Sequence, residues 1–415
     1  QYYLGMIYYC GKNKQLLDIN KSIYYFTQAS NQNFAEAQFR LGCIFYNGKF
    51  IPRDINRSIH YFVLAANNNH LLAQYNLGTI YLKGNYVLQD INKSIYYYTL
   101  ASQQNDPDAQ YLLGKIYEEN KFIPRDMNKA IQYYNLSAKQ NHLVALYRLG
   151  KIYYNGENVK RNIEKAILYL SQSAKQNDLF SLYTLGVIYF NGDNVARDIS
   201  KSLYFLSLAA SLNDKNSQYM LGTIYYTGEY VKQDKNKAIF YLEQSANNNF
   251  PKALYTLGTI YYLDKNIDKA IHYFSLAANY NDDDSQFNLG VLYERGEFLP
   301  INIKKAIQYY ILAANQNNSK AQFNLAKIYL DGVYVKRNID TAIYYFSLAA
   351  DQYHIDSLLY LGIIFQKGSL ISRDINKAIH YYKDASSFNN QYAKNNIGII
   401  YKNGFDVEKN NNLSI

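Results

Sequence analysis

Residues 73–102 read AQYNLGTIYLKGNYVLQDINKSIYYYTLAS. Around Leu77, Ala73 stands four before, Ile80 three after and Tyr81 four after. Those offsets share one face of an α-helix, so the stretch opens with an amphipathic helix A. Gly78 costs about 1 kcal/mol of helix propensity but lets a neighbouring helix approach closely. Gly84 supplies the C-cap, and Asp90 is the residue type that satisfies free N–H groups at a helix start. Helix B begins there, with Ser94, Ile95, Tyr98 and Ser102 on its buried face.

The same phrase recurs on both sides. The Leu landmark falls at Leu4, Leu41, Leu77, Leu113, Leu149, Leu185, Leu221, Leu257, Leu289, Leu325 and Leu361, and as Ile at Ile397; Gly follows it in every copy except at Ala326. The steps are 37, six of 36, 32 and three of 36 residues. A fixed period of this size signals a solenoid of stacked helical hairpins. The cap of helix B is Asp or Asn in every copy: Asp18, Asp54, Asp90, Asp126, Asn162, Asp198, Asp234, Asn266, Asn302, Asn338, Asp374 and Asn410. In the 32-residue copy, TGEYVKQD at 227–234 has become LDKN at 263–266, so only the loop between helices A and B is shortened. That predicts local curvature and no domain boundary.

Ala, Leu-Gly, Tyr, Gly, a Val-x-x-Asp loop, Lys-Ala and Ala-Ala at fixed offsets resemble the Sel1-like repeat over essentially the whole chain. Tyr97 and Tyr133 stand where that family shows Trp or Tyr. The resemblance implies an all-α fold, an α/α superhelical solenoid of about 11.5 helix-turn-helix repeats similar to tetratricopeptide arrays, with helix A on the concave surface. It also implies an adaptor that holds protein partners. Relatives include adaptors of ubiquitin ligases in ER-associated degradation, activators of chitin synthase, bacterial secreted proteins and arrays appended to protein kinases. Cysteine-rich members linked to β-lactam chemistry carry paired cysteines in each repeat, which this chain lacks. About 24 helices are expected, in one continuous array over residues 1–415 with its shortened repeat at 257–288. The array reads as a fragment of a longer protein, because Gln1 lies inside a repeat.

The chain has 415 residues, 48% of them hydrophobic, and a formal charge of +10. Coding bias toward Lys, Asn, Ile and Tyr accounts for the bulk charge, and only clustering would point to an acidic partner. There is no run of about 18 apolar residues and no basic segment followed by an apolar run near Gln1, so neither a membrane span nor a signal peptide is expected. The cytoplasm is therefore the expected compartment, and the ER lumen the alternative if the full-length protein carries a signal. Cys10 and Cys43 read as free thiols.

No unique constellation interrupts the repeats, so the chain reads as non-enzymatic, with no cofactor and no metal. His60, His272 and His380 share one helix-B position, and His70, His142 and His354 share one inter-repeat position; both sets read as surface or packing residues. NDDDS at 281–285 lacks calcium-loop spacing and reads as the turn before helix A. There is no phosphate-binding glycine motif. Six N-x-[ST] sequons begin at Asn20, Asn56, Asn92, Asn135, Asn317 and Asn412; the first three place their Ser at a buried position and are poor glycan acceptors.

Positions one before, two after and six after the Leu fall within about 60° of each other, opposite the buried stripe. They vary most, so they are free to recognise a partner. The candidate partner-binding residues there are Arg40, Lys83, Lys115, Arg148, Lys151, Arg295, Lys327, Tyr360 and Lys367, and the only carboxylates are Glu119 and Asp331. That excess points to a protein or peptide partner of acidic character. A second basic ridge, Arg53, Arg125, Arg161, Arg197, Arg337 and Arg373, lies just before the helix-B cap and reads as a solvated edge. Aromatic residues two before and five after the Leu, such as Tyr147 and Tyr154, read as packing between successive A helices. RNA binding by a one-base-per-repeat code is disfavoured, because the variable positions mix Val, Ile, Thr, Leu and Lys. The leading function is a scaffold that binds peptides or protein domains along helix A. The alternative is the regulatory or targeting region of a longer enzyme, such as a protein kinase or an ER-associated-degradation ubiquitin ligase complex.

Overall fold

The computed structural model describes residues 1–11, 17–119, 121–192, 194–296, 299–369 and 371–404. Its chain divides into two compact units, Gln1–Leu212 and Asn213–Ile415. In the first, the A helices are α1 (Tyr2–Cys10), α3 (Ala35–Asn47), α5 (Leu71–Lys83), α7 (Pro107–Glu119), α9 (Leu143–Asn155) and α11 (Leu179–Asn191). The B helices are α2 (Ile19–Ser30), α4 (Ile55–Asn67), α6 (Ile91–Gln103), α8 (Met127–Lys139), α10 (Ile163–Ala174) and α12 (Ile199–Ser211). In the second, the A helices are α13 (Lys215–Thr227), α15 (Pro251–Leu263), α17 (Asp283–Arg295), α19 (Ser319–Asp331), α21 (Ile355–Lys367) and α23 (Gln391–Asn403). Between them lie the B helices α14 (Lys235–Asn247), α16 (Ile267–Asn279), α18 (Ile303–Asn315), α20 (Ile339–Ala350) and α22 (Ile375–Ser387). The truncated last B helix expected from Asn410, and the sequon at Asn412, lie outside the described residues.

Each hairpin is set by the same few interactions. The Asp90 carboxylate accepts from the backbone N of Lys93 at 2.9 Å, and every described cap from Asp18 to Asp374 does the same for its helix. Gly84, at φ +64, closes α5 in the left-handed region. The landmark leucines from Leu41 to Leu361 are wholly buried, as are the small residues four before them. Gly114 is needed because a Cβ there would lie 2.6 Å from the ring of Tyr134, the buried aromatic of α8. Ser58 and Ser94, of the first sequons, are also fully buried and donate to the carbonyls of Gly42 and Gly78.

A three-layer sandwich repeats along the N-terminal end of helix B. Tyr117 stacks parallel on Tyr133 at 5.8 Å, Lys129 lies 5.1 Å over Tyr117, and Lys129 also reaches the Asp126 cap at 3.6 Å. The shortened copy keeps it: Tyr261 stacks on Tyr273 at 5.5 Å with Lys269 above. Asp264 and Lys265 replace the long loop there, Lys265 taking φ +60, and Asn266 still caps α16, although its bond to Lys269 N lengthens to 3.3 Å. Helix registers thus survive the deletion, and the division between the two units falls at an ordinary junction, Leu212–Asn213.

Two devices join repeats. At the junctions, the residue two before helix A adopts the left-handed conformation and is Asn in ten of eleven cases, Tyr353 being the other. Asparagine tolerates that region better than most residues, so these asparagines have a structural use beyond coding bias. The second device is a buried glutamine three before the Leu. Gln110 donates to the Ser102 carbonyl of α6 at 3.3 Å and accepts from Gln140, just after α8, at 2.9 Å. Gln38, Gln74, Gln286 and Gln322 repeat both bonds, with Asn68, Gln104, Gln316 and Gln352 as donors.

Candidate functional site on the A-helix face

Within the units, A helices of neighbouring repeats touch one another directly: α9 meets α11, α15 meets α17 and α17 meets α19. The residues one before, two after and six after the Leu are half-buried to exposed, and between neighbouring A helices these positions line three cavities. One, of about 230 Å³, has Phe62 as its floor, with Cys43, Tyr46, Asn76 and Thr79 around it. The next, of about 240 Å³, is bounded by Leu82, Leu112, Lys115 and Glu119. The third, of about 300 Å³, lies at the shortened repeat over Phe274, between Tyr255, Tyr262, Leu263 and Val291.

The candidate cations divide by environment. Lys83, Lys115 and Lys367 are exposed, and Lys151 and Lys327 are half-buried, Lys327 lying 5.9 Å from the Phe323 ring. Arg295 is exposed at the end of α17. Arg148 is tied down: it reaches Glu118 at 2.7 Å and Glu119 at 2.9 Å, and Glu118 in turn accepts from the Tyr134 hydroxyl at 2.7 Å. The Glu118 side chain is only 3% exposed, so the arginine neutralises a buried carboxylate. Burial opposes its charge, but the bonds and field of Glu118 win and push the Arg148 pKa up. Arg40 pairs with Glu36 at 2.9 Å. Tyr360 stacks on Phe346 with ring centres 5.3 Å apart, covering the floor position that is open at Phe62 and Phe274.

The model described as Sel1 repeat matches residues 1–34, 35–70, 71–106, 107–142, 143–178, 180–214, 215–250, 283–318, 319–354, 355–387 and 391–415. The chain belongs to the Sel1 repeat family. The shortened stretch of this Sel1 repeat protein, residues 251–284, matches instead the model described as Tetratricopeptide repeat. Among solved structures, it is similar to a protective antigen of uropathogenic Escherichia coli strains that displays an SLR fold, at 27% identity and TM-score 0.68 over 94% of this chain and 85% of that one. It is also similar to a Sel1 repeat protein from Oxalobacter formigenes, at 26% identity and TM-score 0.62 over 76% of this chain and 91% of that one. The curated proteins contain no match.

Several other polar groups of this Sel1 repeat chain serve the scaffold. His70 and His142 cap α5 and α9 through Nδ1, while their Nε2 atoms meet Glu36 at 2.9 Å and Asp108 at 3.1 Å on the preceding A helix. His60, His272 and His380 are exposed on helix B. Asp282 of the NDDDS run caps α17. Cys43 is free, and burial pushes its thiol pKa up to about 11, which makes it a poor nucleophile. The loop ridge is bonded and not merely solvated. Arg53 donates to the Tyr86 hydroxyl at 2.7 Å, and Arg161 and Arg337 donate to the Tyr154 and Leu330 carbonyls that end their A helices.

Sequence reading missed the polar partners of the buried tyrosines, although a signal was present. Five after the Leu, Glu118, Glu294 and Gln366 occur only where helix B carries Tyr134, Tyr310 or Tyr382, and each accepts that hydroxyl at 2.5–2.7 Å. Hairpins with Phe or Leu on helix B have apolar or aromatic residues there. It also missed the clamp: Gln pairs with Asn or Gln thirty residues on, whereas Leu182, Leu254 and Leu358 pair with Leu212, Tyr280 and Phe388, and only Leu146 faces a glutamine, Gln176, which bonds the Asn141 carbonyl instead.

Proposed function

We propose that this protein is a non-enzymatic interaction scaffold that holds a peptide or protein segment along the A-helix face. The observation that carries this reading is the coincidence of two properties. The positions that vary from repeat to repeat are the ones that line the cavities between successive A helices. On the rest of the molecule, the recurring polar groups are bonded into caps, clamps and stacks. Lys83, Lys115, Lys151, Lys327 and Lys367 give that face a positive potential suited to an acidic partner, while Arg40 and Arg148 also hold the scaffold together.

The test is a charge reversal that spares the ion pairs. A Lys83→Glu/Lys115→Glu/Lys151→Glu variant should keep its helical signal and melting temperature. It should lose at least tenfold in affinity for an acidic, aromatic-containing peptide selected on the wild-type protein, with a weaker salt dependence. Reversing Lys93, Lys129 and Lys201 on the B helices should leave the affinity within about twofold, since rim charges away from a contact contribute little. The opposite pattern would place the partner on the B helices.

A further inference from the structure

Two of the cavities are built alike. At Phe62 and at Phe274, the aromatic of helix B forms the floor, and the residue before the next Leu, Asn76 or Asn288, stands at the rim. In two other repeats this rim residue serves the floor. Asn324 donates to the Tyr310 hydroxyl at 3.0 Å, and Tyr360 lays its own ring over Phe346. Phe62 and Phe274 have no hydroxyl, so the amides of Asn76 and Asn288 make no hydrogen bond among the described residues, and the space above each ring stays open. One repeat further on, at the register of the cavity-wall residues Thr79 and Val291, stand Lys115 and Lys327. The same module of open ring, free amide and lysine thus occurs once in each unit.

Building on the A-face reading, we propose that each cavity takes an aromatic side chain of an extended partner peptide, and that an acidic residue three positions away meets Lys115 or Lys327. The aromatic class follows from Tyr360, which shows within this protein what seats well on such a floor. The spacing follows from geometry. Neighbouring helices pack about 8–10 Å apart, and an extended peptide covers that in about three residues. The free amide at the rim offers a donor and an acceptor to the peptide backbone. A lone small aromatic molecule would fill the cavity but leave the lysine unused.

Fluorescein-labelled nonapeptides of Gly and Ser carrying one Phe and one Asp, at separations of one to six, test this against the whole chain. The expected result is an optimum at a separation of three, with at least tenfold loss when Phe or Asp becomes Ser. Asn76→Tyr/Asn288→Tyr fills both cavities as Tyr360 does and should abolish that preference, with an unchanged melting curve showing that the fold is intact. Lys115→Glu/Lys327→Glu should remove the contribution of Asp alone. Binding that ignores Phe, that persists in the filled variant, or that N-acetylphenylalaninamide reproduces by itself would overturn the inference. Persistence in the filled variant together with loss in the Lys83/Lys115/Lys151 reversal would refute the cavities and leave the A-face reading standing. Failure of every peptide in the series would also refute the cavities.

Discussion

Gly114 and Arg148 show how much of this molecule turns on single side chains whose neighbours are far away in sequence. A methyl at Gly114 would press on the buried ring of Tyr134, so Gly114→Ala should destabilise by about 1–3 kcal/mol, the usual cost of overpacking, despite the better helix propensity of Ala. The reverse change at the one repeat that already carries alanine, Ala326→Gly, should cost only about 1 kcal/mol. Urea melts of both variants check the contrast. Arg148→Ala strands the Glu118 carboxylate and should cost about 3 kcal/mol; Glu118→Leu in the same chain should return much of it, because removing both partners avoids a buried unpaired charge. The landmark Leu, the Gly beside it and the Asp or Asn caps were legible in the sequence because each answers a local backbone or packing demand. The Glu118–Arg148 pair was not, since its partners lie 30 residues apart on different helices and no local pattern demands them.

For the hairpins, the same distinction separates what periodicity reveals from what stacking adds. Helix boundaries, the preserved register of the shortened copy and the small-residue positions follow from offsets of three and four. The glutamine clamp follows from a pairing across 30 residues that becomes meaningful only once two repeats are stacked. Gln322→Leu alone should destabilise by about 1–3 kcal/mol, by leaving the Gln352 amide and the Ala314 carbonyl without their partner. Adding Gln352→Leu should recover at least half of that, as the native Leu182 and Leu212 combination implies, and a double-mutant cycle measures the coupling. The caps add a pH dependence. Backbone N–H groups three residues on, led by those of Lys21, Lys93 and Lys201, hold Asp18, Asp90 and Asp198 below the ordinary carboxylate range. A folded-state value below the unfolded one means that the unfolded chain binds more protons in that window, so this stability is present above about pH 4 and lost as pH falls through the depressed values. Replacing all three with Asn, the cap already used at Asn162 and Asn338, should flatten the acid side of the melting-temperature profile and leave pH 7 nearly unchanged.

At the scale of the whole molecule, lysine is the most useful reporter, because it marks both faces of the stack for different reasons. On the B helices Lys21, Lys93, Lys129, Lys201 and Lys377 lie over tyrosine or phenylalanine rings beside their caps, 55–61% exposed, as parts of the scaffold. On the A helices Lys83, Lys115 and Lys367 are exposed with no scaffold role in view. The overall excess of positive charge in the sequence therefore conceals two populations: the helix-A set was legible from its offsets to the Leu, and the ring-stacked set became visible in the structure. The direct measurement is lysine acetylation followed by mass spectrometry, on the protein alone and saturated with a bound acidic partner. The A-face account predicts that Lys83, Lys115 and Lys151, or Lys327 and Lys367, lose most of their reactivity on binding while the five B-helix lysines keep theirs. Protection of Lys93, Lys129 and Lys201 with Lys83, Lys115, Lys327 and Lys367 still fully reactive would contradict it.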